Sequence, residues 1–125
     1  MTGVQTCALP IYFEKATQSG ANQLRAFRDL GEAYSRSGDV DRAIESYDKA
    51  IRSQEKEITD KAQRGLPVQF AEERLNYTKM DKAREMITKG ELDQAQQLLD
   101  EVSKTMAGDE SVMALQDSLN RKRSG

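Results

Sequence analysis

A four-residue unit recurs 34 positions apart in this chain, as Phe13-Glu14-Lys15-Ala16 and again as Tyr47-Asp48-Lys49-Ala50. A period of that length constrains the fold to a stack of small units, each burying apolar surface on the next, in place of one closed core. Composition says what the units are made of. Aromatic residues are 6% of the 125, while Ala, Glu, Lys, Arg and Gln abound, which favours helices and leaves little to build strands.

Between the two copies, Phe27, Leu30 and Tyr34 recur at spacings of three and four, on one face of a first helix. Gly31 sits on that helix where a second one can approach closely, and Ala43 plays the same part from the other side. Gly38 can take the left-handed conformation that ends a helix, and Asp39 offers a side-chain acceptor to the free amides of the next. These signals predict an antiparallel helical hairpin. With the 34-residue period, Phe27, Leu30, Gly31, Tyr34, Gly38, Ala43, Tyr47 and Ala50 make residues 24–57 resemble a repeat of the tetratricopeptide family. The resemblance implies an all-α fold of antiparallel helical hairpins stacked as a short right-handed solenoid. It also implies a protein–protein interaction module or scaffold that holds a peptide or protein partner in the groove between first helices.

A second, displaced copy follows. Gly90-Glu91-Leu92-Asp93-Gln94-Ala95 matches Gly38-Asp39-Val40-Asp41-Arg42-Ala43, with Leu99 and Val102 in the places of Tyr47 and Ala50. The separation is 52 residues, and the surplus of 18 is close to five turns at about 3.6 residues each, so helices can lengthen without losing phase. The stripe Ile44, Tyr47, Ile51, Ile58, Ala62 predicts that the second helix continues to about Arg64, where Gly65-Leu66-Pro67 breaks it. Phe70, Tyr77, Met80, Ala83 and Ile87 mark the returning helix, with Tyr77, Met80 and Ile87 read as core. Both helices are expected to overhang an ordinary repeat by roughly nine residues, or about 13 Å. Lys79 and Lys82 depart from the family pattern, standing where apolar residues are usual. After Gly108, Asp109 can cap a last helix whose Val112, Leu115 and Leu119 form one strip, like the terminal helix that closes a solenoid.

Residues 1–11 read MTGVQTCALPI, which resembles the translation of a sequencing adapter, so the segment is expected to be non-native and the natural chain to extend further upstream. The expected organisation is then a helical repeat domain over residues 12–122. Residues 12–20 are the remnant of a truncated repeat, 24–57 a full repeat, 58–75 a helical extension, 76–107 a divergent second repeat and 109–122 a capping helix. Residues 123–125 are a tail, and fraying is expected from Arg121 onward.

Charge and residue chemistry narrow the function. Nineteen Lys and Arg nearly balance 21 Asp and Glu, so the molecule has no field suited to nucleic acid. The longest apolar run, residues 7–13, is far short of the roughly 20 residues of a membrane span. Histidine is absent and Cys7, the one cysteine, lies in the adapter-like segment, which removes the usual general base and the commonest metal ligands. Pairs such as Glu72-Glu73 and Asp109-Glu110 read as solvated or capping carboxylates. The chain is therefore read as non-catalytic, without cofactor or metal, and in either the cytoplasm or the periplasm.

The resemblance places a partner against Arg25, Arg28, Glu32, Ser35 and Arg36, where three arginines can hold an acidic or carboxylate-ended peptide through forked hydrogen bonds. Some relatives clamp a terminal carboxylate with Lys and Asn at two such positions; Glu32 stands where that Asn would be, so this particular activity is not expected. Two other readings fit the same residues: an accessory region of a larger enzyme or sensor, and self-association through the long hairpin.

Overall fold

The structure, a computed structural model, describes residues 23–125. The adapter-like segment and the repeat remnant at residues 12–20 lie outside the described residues. Five helices follow one another: α1 Gln23–Ser37, α2 Val40–Gln63, α3 Gln69–Lys89, α4 Leu92–Ser103 and α5 Glu110–Ser124. Each packs on its neighbour in sequence, and α3 also meets α5, which gives a stack of antiparallel hairpins.

The two bends are built alike. Gly38 and Gly90 both have positive φ, at 86° and 95°. Just after each glycine, an amide reaches back five residues: Asp39 N–H donates to the Tyr34 carbonyl and Glu91 N–H to the Met86 carbonyl, both at 2.9 Å. Two carbonyls left free at the helix ends are thereby satisfied, which is why a residue that tolerates the left-handed region stands there. The helix starts differ. The Asp39 carboxylate accepts from Arg42 N–H at 3.2 Å, whereas Glu91 makes no side-chain cap. The Glu91 carboxylate instead meets Lys89 Nζ at 2.9 Å, and Asp41 approaches the same ammonium at 2.8 Å. The hydrogen bonds Lys89 donates to Asp41 and, next, to Glu91 push its pKa up, and the cluster fastens the end of α3 to the start of α2.

Two apolar clusters hold the stack. Leu30, Tyr34, Ala43 and Tyr47 form the first, within the α1–α2 hairpin. Met80, Ala83 and Ile87 of α3 meet Ala95, Leu99 and Val102 of α4, and Val112, Leu115 and Leu119 of α5 cover them. Phe27, the remaining aromatic of α1, is half-buried with the Lys49 ammonium 5.8 Å from its ring centre. Ala43, Ala50, Ala83 and Ala95 are fully buried, so methyl-sized side chains sit where backbones come closest.

The overhang is present. At 24 residues α2 is nine longer than the 15-residue α1, which at a 1.5 Å rise is an excess of about 13 Å. Its apolar stripe fades as it leaves α1 behind: Ile51 is buried, Ile58 half-buried and Ala62 exposed.

Two expectations require correction, on the stripe of α3 and on the end of α5. Phe70 and Tyr77 do not belong to the buried stripe of α3; they are 72% and 43% exposed, and the hairpin's interior is lined by Ala71 and Thr78 instead. The register is displaced because α3 buries two faces, one toward α2 and one toward α4 and α5, and Met80, Ala83 and Ile87 belong to the second. Lys79 and Lys82 are accommodated as ion pairs, with Glu101 and Asp48 respectively, in place of apolar packing. Residues 121–124 do not fray: α5 runs to Ser124, and Arg123 Nη2 lies 3.1 Å from Asp93 of α4. Three basic residues in that last turn also suit the negative end of the helix dipole.

Candidate partner groove

The first helices α1 and α3 face each other through side chains that bridge from one hairpin to the next. Arg28 Nε lies 3.3 Å from Asp81 Oδ2, and the Ser35 hydroxyl donates to Glu85 Oε2 at 2.9 Å. Asp81 and Glu85 are one turn apart on α3, as Arg28 and Ser35 are two turns apart on α1. Asp81 also receives Arg84 at 3.0 Å, and Glu85 is buried. Two of the five residues singled out from the sequence are thus occupied in joining hairpins.

The five do not share one cavity. Arg25, Arg28 and Glu32 line a cleft of about 530 Å³ together with Asp29, Gln54 and Arg74. It lies at the step where α1 begins and the long α2–α3 hairpin carries on past it. Arg36 is exposed at the opposite end of α1, away from this cleft, and Ser35 is not part of the lining.

Three guanidinium groups converge on the cleft, yet each already has a carboxylate. Arg28 is held by Asp81, Arg74 by Glu57 at 3.2 Å, and Arg25 by Asp29 at 3.9 Å. The Arg25 contact is long and its guanidinium highly exposed, so it restrains that side chain only weakly. Glu32 takes part in no hydrogen bond or ion pair among the described residues. Its field is felt at the Tyr47 phenol, whose pKa is pushed up first by burial and then by Asp81, Glu32 and Glu85, with Arg84 opposing.

Gln54 and Arg74 belong to this site, and reasoning from the sequence alone passed over both. Gln54 continues the Tyr47–Ile51 stripe on α2, and a carboxamide in an otherwise apolar stripe was the available signal. It is only 2% exposed. Its Nε2 donates to the Thr78 hydroxyl at 3.0 Å, and that hydroxyl donates to the Arg74 carbonyl at 3.1 Å. Because the hydroxyl proton is already directed to the carbonyl, Thr78 can only accept from Gln54, which fixes the carboxamide orientation. The Gln54 Oε1 atom is left without a hydrogen-bond partner.

A second cleft, of about 620 Å³, opens between the start of α3 and the α4–α5 turn, where Tyr77 stands beside Glu72, Glu73 and Asp109. The Asp109 carboxylate caps α5, accepting from the amides of Ser111 and Val112 at 2.9 and 3.3 Å. Glu72 and Glu73 are exposed, in keeping with solvated groups. Among the described residues, no group of three Asp, Glu, His or Cys is placed to hold a metal ion, and no helix is long and apolar enough to cross a membrane.

Neither curated proteins nor solved structures yield a significant match to the chain. A family model does: that of the tetratricopeptide repeat matches residues 26–61, which takes in most of α1 and nearly all of α2. The matched segment contains the Gly31–Tyr47 contact, the Gly38 bend and the Ala43 and Ala50 close approaches, so by fold and by sequence residues 26–61 form a tetratricopeptide repeat.

Proposed function

We propose that the chain is a non-catalytic binding module whose partner, a peptide or a segment of another protein, lies along α1 and enters the cleft beside Gln54. Tetratricopeptide repeats are protein-interaction scaffolds, and the observation that supports this particular surface is the cleft itself. It is concave and lined from α1, α2 and α3 at once by Arg25, Glu32, Gln54 and Arg74. A partner seated there touches both hairpins, whereas one on an isolated helix face touches only one.

The test avoids Arg28, because reversing it breaks the Asp81 bridge between α1 and α3 and confounds binding with stacking. Peptides are selected from a displayed random library against the full chain, and those enriched are measured against a Glu32→Lys, Arg36→Glu variant. Reversal of two α1 charges that hold nothing in place is expected to change their affinity at least tenfold. Unaltered affinity would remove α1 as the binding surface.

Self-association is the second reading, favoured by Leu66 and Phe70, 42% and 72% exposed at the hairpin tip.

A further inference from the structure

We infer that the cleft at the start of α1 takes a cationic side chain, the ammonium of a lysine or the guanidinium of an arginine, from the bound partner. The inference rests on the groove reading above and gives its ligand a chemical class.

The buried hydrogen-bonding capacity left over in the cleft is that of an acceptor. The Gln54 Oε1 atom has lost water and gained no donor in exchange, and it is the one buried side-chain atom so placed among the described residues. Leaving an amide oxygen in that condition is costly. Turning the carboxamide would bring its oxygen to the Thr78 hydroxyl only if that hydroxyl gave up the Arg74 carbonyl. A ligand that brings an N–H recovers that cost, so the atom selects for donors.

The unspent charge has the same sign. Each guanidinium lining the cleft already holds a carboxylate, Arg25 with Asp29, Arg28 with Asp81 and Arg74 with Glu57, which also takes Lys61, whereas Glu32 has no partner among the described residues. An anionic ligand entering here must compete with the carboxylates already on those guanidiniums and lie beside Glu32. A cation meets Glu32 directly and can donate another of its protons to Gln54, as a group with three or five N–H donors allows. Arg25 and Arg74, both well exposed at the rim, are long side chains that can swing aside to admit it. A volume of about 530 Å³ leaves room for one long side chain and part of its backbone.

The experiment uses the full chain and four end-blocked pentapeptides that differ only at the centre, which is arginine, lysine, glutamate or glutamine. Binding is followed by NMR through the side-chain amide of Gln54 and the Nε–H of Arg28. The arginine and lysine peptides are expected to shift the Gln54 signal saturably, and Glu32→Gln to weaken that binding about tenfold. Gln54→Met, followed through Arg28, should also weaken it while leaving the thermal melt unchanged or higher, since it removes an unmet acceptor without creating a void. Saturation by glutamate alone, or equal binding of the glutamine peptide, overturns the cationic assignment and leaves the groove reading standing. If none of the four shifts either reporter, both readings fail.

Discussion

Gly31→Ala is expected to destabilise the chain by about 1–3 kcal/mol, although alanine is the better helix former by about 1 kcal/mol. A β-carbon at position 31 would lie 2.6 Å from Tyr47 Cε1 and 2.8 Å from Cδ1. The obstacle is a rigid ring that is 3% exposed, enclosed by Leu30, Tyr34 and Ala43, and it has no free space to retreat into. The helices must separate, and the whole first cluster loosens with them. In a domain of this size the cost corresponds to a fall of several degrees in Tm. A double-mutant cycle with Tyr47→Leu isolates the cause, because shortening the ring opens the space the new methyl needs. The pair should be less damaging than the sum of its members by at least about 1 kcal/mol. If Gly31→Ala costs as much in the Tyr47→Leu background as alone, the ring contact is not what makes glycine necessary.

That contact was legible in the sequence because it depends on residue size at fixed spacing. The same holds for Gly38 and Gly90 at the bends and for the strip Val112, Leu115, Leu119: each is decided locally, by backbone freedom or by helical phase. The faces of α3 were less accessible. A helix buried on two sides has no single stripe, so Phe70 and Tyr77, which continue the spacing of Met80 and Ile87, look like core and are not. The end of α5 was missed for another reason. A run of basic residues resembles a solvated tail, and only the placement of Asp93 on α4 supplies Arg123 with a partner.

The groove was legible by position and not by electrostatics. The resemblance put Arg25, Arg28 and Glu32 at a binding surface, and the fold brings those three to one cleft. The carboxylates that pair with the arginines come from 4 to 53 positions away, on α1, α2 and α3, so no local reading could discover that Arg28 is spent on Asp81 or Arg74 on Glu57. A count of arginines on one helix therefore favours an anionic ligand, while the pairing across three helices leaves Glu32 and Gln54 Oε1 as the groups still open to a donor.

Ending the chain at Gly108 is expected to abolish cooperative unfolding. The truncation removes Val112, Leu115 and Leu119, all 6% exposed or less, from the larger cluster. Burial of three such side chains is worth roughly 5–9 kcal/mol, an upper estimate because the unfolded chain is itself partly compact. That is comparable to the entire stability of a typical domain, about 5–15 kcal/mol. The damage also spreads inward, since Leu99 and Val102 of α4 and Met80 of α3 become wet on the side α5 had covered. The polar interactions of α5 matter less: the Arg123–Asp93 pair is at the surface, and the Gln96 and Gln116 carboxamides, which donate to each other at 2.8 and 2.9 Å, can return to water. Circular dichroism of the shortened chain should show a broad, non-cooperative melt, and Leu119→Ala in the full chain an intermediate loss of about 2–5 kcal/mol. A sharp melt within a few degrees of the full chain would mean that the α3–α4 hairpin tolerates an open apolar face, contrary to the stacking on which the fold depends. Because α1 and α2 keep their own cluster of Leu30, Tyr34, Ala43 and Tyr47, residual helicity should survive there and be lost on adding Gly31→Ala, which shows whether stability passes along the stack or resides in each hairpin.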